Sequence, residues 1–299
     1  MKTIQFGKRY VNIPTQFTEL STHQLVRTIE LQSAELTVTQ FNVLQILNLL
    51  KVNSRPWLKW FFLKNEYLIP CLDKLTFGLF TWTKTSFSEE DFHELCQLSI
   101  PFQKQDKFPL DNPFPELRIG FRNTLVGPEK LFANLTFRQF RKAEEYFIRY
   151  FANHEFEDLN HFLAWLYLPK SKISATYQTQ NTTEIRSRQF SKLNINKGLT
   201  ILYFYLATRE KITKLYPYLY PKTGIISLKR TPNQIKTDFE KSVRMLSGNI
   251  TKDEITDLQN VHDALAHLND KAKEVHDLQE SIKKQKSWPK PKSPPILRI

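Results

Sequence analysis

Three stretches of this chain share one pattern: Leu, then Ser or Thr, two free positions, Gln, then Phe or Leu. They are Leu20 to Leu25 (LSTHQL), Leu36 to Phe41 (LTVTQF) and Leu135 to Phe140 (LTFRQF). The spacing is that of a helix start. A Ser or Thr at the N-cap accepts a hydrogen bond from the backbone N–H three residues on, and the Gln there reaches back to the N-cap N–H. The flanking Leu and Phe (or Leu) fall at the positions that pack as a hydrophobic staple. Helices are therefore expected to begin at Ser21, Thr37 and Thr136, and losing one such cap costs about 1 kcal/mol. Read this way the hexamer needs no ligand. Two copies also match further upstream: Phe17-x-x-Leu20-Ser21-x-x-Gln24-Leu25 against Phe132-x-x-Leu135-Thr136-x-x-Gln139-Phe140. That fits two copies of one helical unit, although no match continues downstream.

Only 7 glycines occur in 299 residues. Parallel α/β nucleotide folds place glycines where backbone meets phosphate, so the shortage argues against that class and for helices. The expected fold is mostly α, in one or more helical domains, with a short N-terminal β hairpin and a long C-terminal helix. Thr3 to Phe6 and Tyr10 to Ile13 read as the hairpin strands around Gly7-Lys8. Apolar residues at three- and four-residue spacing predict helices over Ser21–Leu31 and Thr37–Lys51. Further helices are expected from Pro56 to Leu63 and from Ser88 to about Leu98. Beyond the prolines the same spacing predicts Thr136–Asn153, Phe156–Leu168, Ile195–Tyr216, Thr231–Leu246 and Thr251 to about Lys284.

The chain divides at its prolines. Residues 1–100 form an N-terminal hairpin-plus-helical region. Residues 101–130, with Pro101, Pro109, Pro113 and Pro115, read as a connector. Residues 131–250 are a helical domain with an exposed polar loop at about 171–194. Residues 251–286 form a C-terminal helix with a heptad-like seam, and 287–299 a basic Pro/Lys tail.

The formal charge of +13 favours polyanions, acidic protein surfaces or anionic membranes as partners. The excess lies in residues 171–250, with a net +10, and in the tail from Ser281, which holds six basic groups and no acid. Residues 251–280 carry a net −5. Cys71 and Cys96, the only cysteines, stand in no ligand spacing, as in reduced cytoplasmic proteins. No apolar run has signal-peptide character or bilayer-spanning length, so no membrane insertion is expected.

No catalytic or cofactor signature stands out. The seven His form no HExxH or Cys/His pattern, and no GxSxG, Walker A or GxGxxG stretch occurs. No metal, cofactor or catalytic residue is expected. His262 and His276 share a helix, but about 20 Å apart, too far for one metal. Aromatic and basic residues interleave from Phe137 to Phe151, yet helical spacing sorts Phe140, Ala143, Phe147 and Phe151 onto a core face. Arg138, Arg141, Glu145 and Arg149 fall on a solvated one, with ion pairs expected around Glu144-Glu145.

Three features are candidates for partner contact. The first is the basic stretch Arg186, Arg188 and Lys192, with Lys211, Lys214, Lys222, Lys229 and Arg230 downstream. The second is the seam Val261, Leu265, Leu268, Ala272, Val275 and Ile282, which can dock on its own domain or on a partner helix. The third is the tail, beginning with Lys283, Lys284 and Lys286.

A resemblance follows from the order of several patterns. Ile13-Pro14-Thr15-Gln16-Phe17-Thr18-Glu19-Leu20-Ser21-Thr22-His23-Gln24 after a short β segment resembles the opening of proteins from phage tail-gene clusters. The later order is similar to tail-module proteins of Bacteroidota phages and prophages: the NLTFRQF helix, HFLAWLYLPKS (His161 to Ser171), an apolar helix ending in REKITKLYPYLYP (Arg209 to Pro221), and Met245 to Glu274. The resemblance implies a non-enzymatic tail morphogenesis protein, an assembly chaperone or alternatively a structural virion connector. Its partners would be other phage tail or virion proteins, in the host cytoplasm during assembly or in the virion. Self-association and polyanion contact stay open, and a basic helical nucleic-acid-binding protein is the further alternative.

Overall fold

The computed structural model describes residues 1–6, 9–49, 74–76, 82–84, 96–103, 108–119, 123–169, 180–220 and 253–286. The helices expected at Pro56–Leu63 and Thr231–Leu246, most of that at Ser88–Leu98, residues 171–179, Lys222, Lys229, Arg230 and the tail after Lys286 lie outside the described residues.

The chain opens with strands β1 (Lys2–Phe6) and β2 (Arg9–Ile13), paired antiparallel with Ile4 opposite Val11. A 3-10 turn, Phe17–Glu19, buries Phe17 and leads into α1 (Thr22–Gln32). Ser21 caps α1 as expected: its side chain accepts from Gln24 N–H, and Gln24 Oε1 accepts from Ser21 N–H at 3.1 Å. Helix α2 (Val38–Leu49) begins at the second box, where Thr37 and Gln40 exchange the same two bonds. Helices α1 and α2 meet through buried amides and hydroxyls. Asn48 Nδ2 donates to Gln24 O at 2.9 Å, and Thr28 and Gln45 pair beside it. Such a buried network stabilises only if each member is satisfied.

Strands β3 (Lys74–Thr76) and β4 (Trp82–Lys84) form a second antiparallel pair. A third hairpin, β5 (Glu116–Ile119) with β6 (Asn123–Val126), follows the prolines. After another 3-10 turn, Lys130–Phe132, helix α3 runs from Phe137 to Asn153 behind the Thr136/Gln139 capping box. His154, in the left-handed conformation, ends it, and α4 (Phe156–Leu166) returns. Strand β7 (Leu168–Pro169) then joins the edge of β6. Helices α5 (Gln180–Phe190), α6 (Ile195–Leu215), α7 (Asp253–Asp257) and α8 (Val261–Lys286) complete the described elements. The mostly α reading with an N-terminal hairpin and a long C-terminal helix is the observed one.

Three expectations change. The polar stretch at 171–194 is helical from Gln180 to Phe190, because Thr183, Arg186, Ser187 and Phe190 turn inward at helical spacing. The segment from Thr251 is two helices; the chain leaves helical form at Leu258–Asn260 to pair with the start of α3. The proline-rich stretch 101–130 is no mere connector. Phe102 and Phe108 are buried, and the rings Phe102–Phe17 (5.2 Å), Phe17–Phe108 (5.6 Å) and Phe108–Tyr203 (5.8 Å) touch in series. These rings join the N-terminal hairpin unit to α6 in one apolar cluster.

The centre of the helical region is aromatic. Phe132 stacks on Tyr205 at 4.8 Å, and Tyr205 meets Phe147 (5.3 Å) and Phe162 (4.9 Å). Fully burying one such side chain is worth roughly 1.5–3 kcal/mol. Tyr205 keeps its hydroxyl inside by donating to Glu144 at 3.0 Å, and Arg209 holds the same carboxylate at 2.6 Å. Burial, with the Glu144 charge adding to it, pushes the Tyr205 hydroxyl well above its ordinary pKa.

Candidate partner-binding surface

Helix α8 is fixed at its start by backbone. Val261 N–H donates to Leu135 O at 3.0 Å and Phe137 N–H to Gln259 O at 2.9 Å. These antiparallel bonds tie the N-terminus of α8 to that of α3. Asn260 serves both sides: its Oδ1 accepts from His262 N–H (2.9 Å), capping α8, and its Nδ2 donates to Ala133 O (2.7 Å). Asp257, nearly buried, receives Arg138 at 3.1 Å and Arg141 at 2.9 and 3.1 Å. Arg138 and Arg141 therefore do not pair within their own helix as expected; Glu145 does, with Lys142 (3.0 Å) and Arg149 (2.7 Å).

His262 completes the clasp. Its Nε2 lies 2.7 Å from Leu131 O, which can only accept, so Nε2 carries the hydrogen. In the neutral ring Nδ1 then accepts from Tyr216 O–H at 2.8 Å. Leu131 and Phe132 both have positive φ (55° and 63°), a conformation that costs a non-glycine residue on the order of 1–3 kcal/mol. Complete burial of the Phe132 ring and the His262 bond to Leu131 O hold this turn. Farther along, Asn269 Oδ1 accepts from Tyr218 N–H (3.0 Å), and Lys273 lies over the Tyr218 ring.

The seam of α8 divides into two parts. Val261, Ala264, Leu265 and Leu268 are at most 4% exposed and belong to the core. Val261, Leu265 and Leu268 are therefore corrected from partner contacts to intramolecular packing. Val275, Leu278 and Ile282 are 57%, 63% and 42% exposed, on one side of the helix at three- and four-residue spacing. From Lys273 to Lys286 the helix continues about 20 Å, at 1.5 Å per residue. Lys283 is exposed, and Lys284 and Lys286 follow it in the last described residues of α8.

The basic stretch also separates. Arg188 and Lys192 are exposed, but Arg186 is buried, a correction to its expected surface role. Its guanidinium donates to Ala164 O from Nε and a terminal nitrogen, both at 3.2 Å, and to Thr183 Oγ1. Ala164 O is one of the carbonyls left without a helical partner at the end of α4. Burial lowers the Arg186 pKa to about 10. Its neighbour Trp165 O is taken by Gln139 Nε2 at 3.3 Å. Neither carbonyl contact has a local sequence signal, because the partners are more than twenty residues apart.

A polar cleft of about 170 Å³ between α3, α4 and α5 is lined by Lys142, Glu145, Tyr146, Arg149, His161, Trp165, Thr183 and Glu184. Its two cations are already engaged by Glu145. Among the described residues no group of His, Cys, Asp and Glu is placed to hold a metal ion, and no helix is long and apolar enough to cross a membrane. Comparison of the chain with protein-family models, curated proteins and solved structures finds no match.

Proposed function

We propose that the protein is a non-enzymatic phage tail morphogenesis factor that binds other tail components during assembly. The observation that carries the binding role is the far half of α8, which holds Val275, Leu278 and Ile282 outside the core on a helix anchored firmly at its other end. An anchored helix presents such a stripe at little ordering cost, as in helix-in-groove recognition. The tail assignment rests on the order of sequence patterns from Ile13 to Glu274. Lys283 on α8, with Arg188 and Lys192 on the surface, adds a cationic character that suits acidic partners.

The test combines binding with particle composition. Purified protein is mixed with each tail protein encoded beside it, and the mature particles are analysed by mass spectrometry. An assembly factor binds at least one tail protein, loses that binding on V275D/L278D/I282D, and is absent from the particles. Stoichiometric presence in particles makes it a virion component instead. Failure to bind any tail protein, together with retention on DNA at physiological salt, moves it to the nucleic-acid-binding class.

A further inference from the structure

We infer that residues 2–49 and 116–166 are two copies of one module, duplicated within the chain. The sequences share little beyond Phe17, Leu20 and Gln24 with their counterparts Phe132, Leu135 and Gln139, plus a hydroxyl at Ser21 and Thr136. What repeats is an ordered series of physical roles. Each copy begins with a two-stranded antiparallel hairpin, β1–β2 or β5–β6. A proline follows within two residues of the second strand, Pro14 or Pro128. A buried phenylalanine then stands four positions before the helix cap beside a 3-10 turn, which Phe17 (2% exposed) opens and Phe132 (0%) closes.

The residue two before the cap next ties down the entry to that turn. Glu19 Oε2 accepts from Thr15 N–H at 2.7 Å, and Asn134 Oδ1 accepts from Glu129 N–H at 2.8 Å. The capping box follows in both copies. Its glutamine then does something a capping box does not require. Gln24 Nε2 donates to Asn48 O and Leu49 O (both 3.1 Å), in the last described turn of α2. Gln139 Nε2 donates to Trp165 O (3.3 Å), at the end of α4. One buried amide thus ties the start of one helix to a carbonyl of its returning neighbour, in both copies. The two glutamines are 2% and 3% exposed.

Register outside the cap motif, where offsets are not equal by construction, separates duplication from repeated use of a common cap. Phe17 to Phe132, Leu20 to Leu135, Ser21 to Thr136 and Gln24 to Gln139 are all 115 positions apart. Leu49 and Trp165, the last clamped carbonyls, are 116 apart. The spacing survives although α1 has 11 residues and α3 has 17. The longer first helix is offset partly by a shorter link and partly by fewer residues of the second helix before the clamped carbonyl, so the path from cap to clamped carbonyl is nearly conserved in length. The box at Thr37/Gln40 lies inside the first copy and opens its second helix, where the second copy has Glu155 without a side-chain cap.

A transplant tests this in the full-length protein. The eight residues Phe132–Gln139 replace Phe17–Gln24. A control carries the same eight residues with the Thr and Gln exchanged, keeping Phe and Leu but breaking box and clamp. Thermal unfolding is followed by circular dichroism. Equivalent modules predict that the matched transplant unfolds cooperatively within about 3 °C of the parent, while the exchanged control falls by about 8 °C or more. Equal losses in both, or failure of the matched transplant to fold while the parent folds, overturn the duplication.

Discussion

The two halves of α8 carry one kind of pattern and meet two different fates. Val261, Ala264, Leu265 and Leu268 are sealed against the start of α3, whereas Val275, Leu278 and Ile282 stand 42% or more exposed on the same helix. Hydrophobic spacing says which side of a helix is apolar; it does not say what covers that side. The near half is covered because Leu135–Phe137 and Gln259–Val261 pair as extended backbone and fix where the helix begins. The helix then continues past the described residues it docks on.

The strongest way to break this contrast is to place the same charge on each half. Leu265→Asp puts an unpaired carboxylate at a fully buried site and is expected to cost at least 4 kcal/mol, abolishing cooperative unfolding. Leu278→Asp, at 63% exposure, is expected to change stability by no more than about 0.5 kcal/mol by urea denaturation. Comparable losses at both positions would mean that the far half is packed in solution.

Asp257→Ala probes the clasp, and the expected loss is about 3 kcal/mol. It leaves Arg138 and Arg141, both mostly buried, without their carboxylate, and amide exchange at Val261 and Phe137 should rise with it. If exchange at these amides is unchanged, the backbone pairing holds the arm without the ion cluster.

The two modules give a finer version of the same comparison. Gln24→Ala and Gln139→Ala each remove a box and a buried clamp, and each should cost about 2 kcal/mol. A large inequality between them, measured by chemical denaturation, would show that only one of the two glutamines clamps its helix pair.

The smallest effect concerns pH. The hydrogen bond from the N-terminal ammonium, with that from Thr15 N–H, lowers the Glu19 pKa from 4.5 to about 2. A depressed carboxylate contributes stability that is fully present above its unfolded pKa and lost as pH falls through the folded one. The contribution should therefore fade between about pH 4.5 and 2, and Glu19→Gln should flatten the stability profile in that window. An identical profile in the variant would show that the ion pair is not formed in solution.

Much of the scaffold was legible because helix caps are local. Ser21, Thr37 and Thr136 act within three residues of themselves, and all three boxes form. The core stripe Phe140, Ala143 and Phe147 follows from the same periodicity. The candidate surface was only half legible. Val275 and Ile282 could be named as apolar, but nothing near them distinguishes them from Leu265 and Leu268. Arg186 misled for a related reason: a cation in a polar stretch reads as solvated, yet here it satisfies the end of another helix.

The sequence by itself determined the three helix starts at Ser21, Thr37 and Thr136, which sides of the helices are apolar and where charge accumulates, since these depend on neighbours within one or two turns. The tertiary structure decided the second job of Gln24 and Gln139, the inward turn of Arg186, the break at Leu258–Asn260 and the point along α8 where burial ends. Each depends on an atom brought close from a distant part of the chain, and a backbone carbonyl or a covering helix carries no local mark of its future partner.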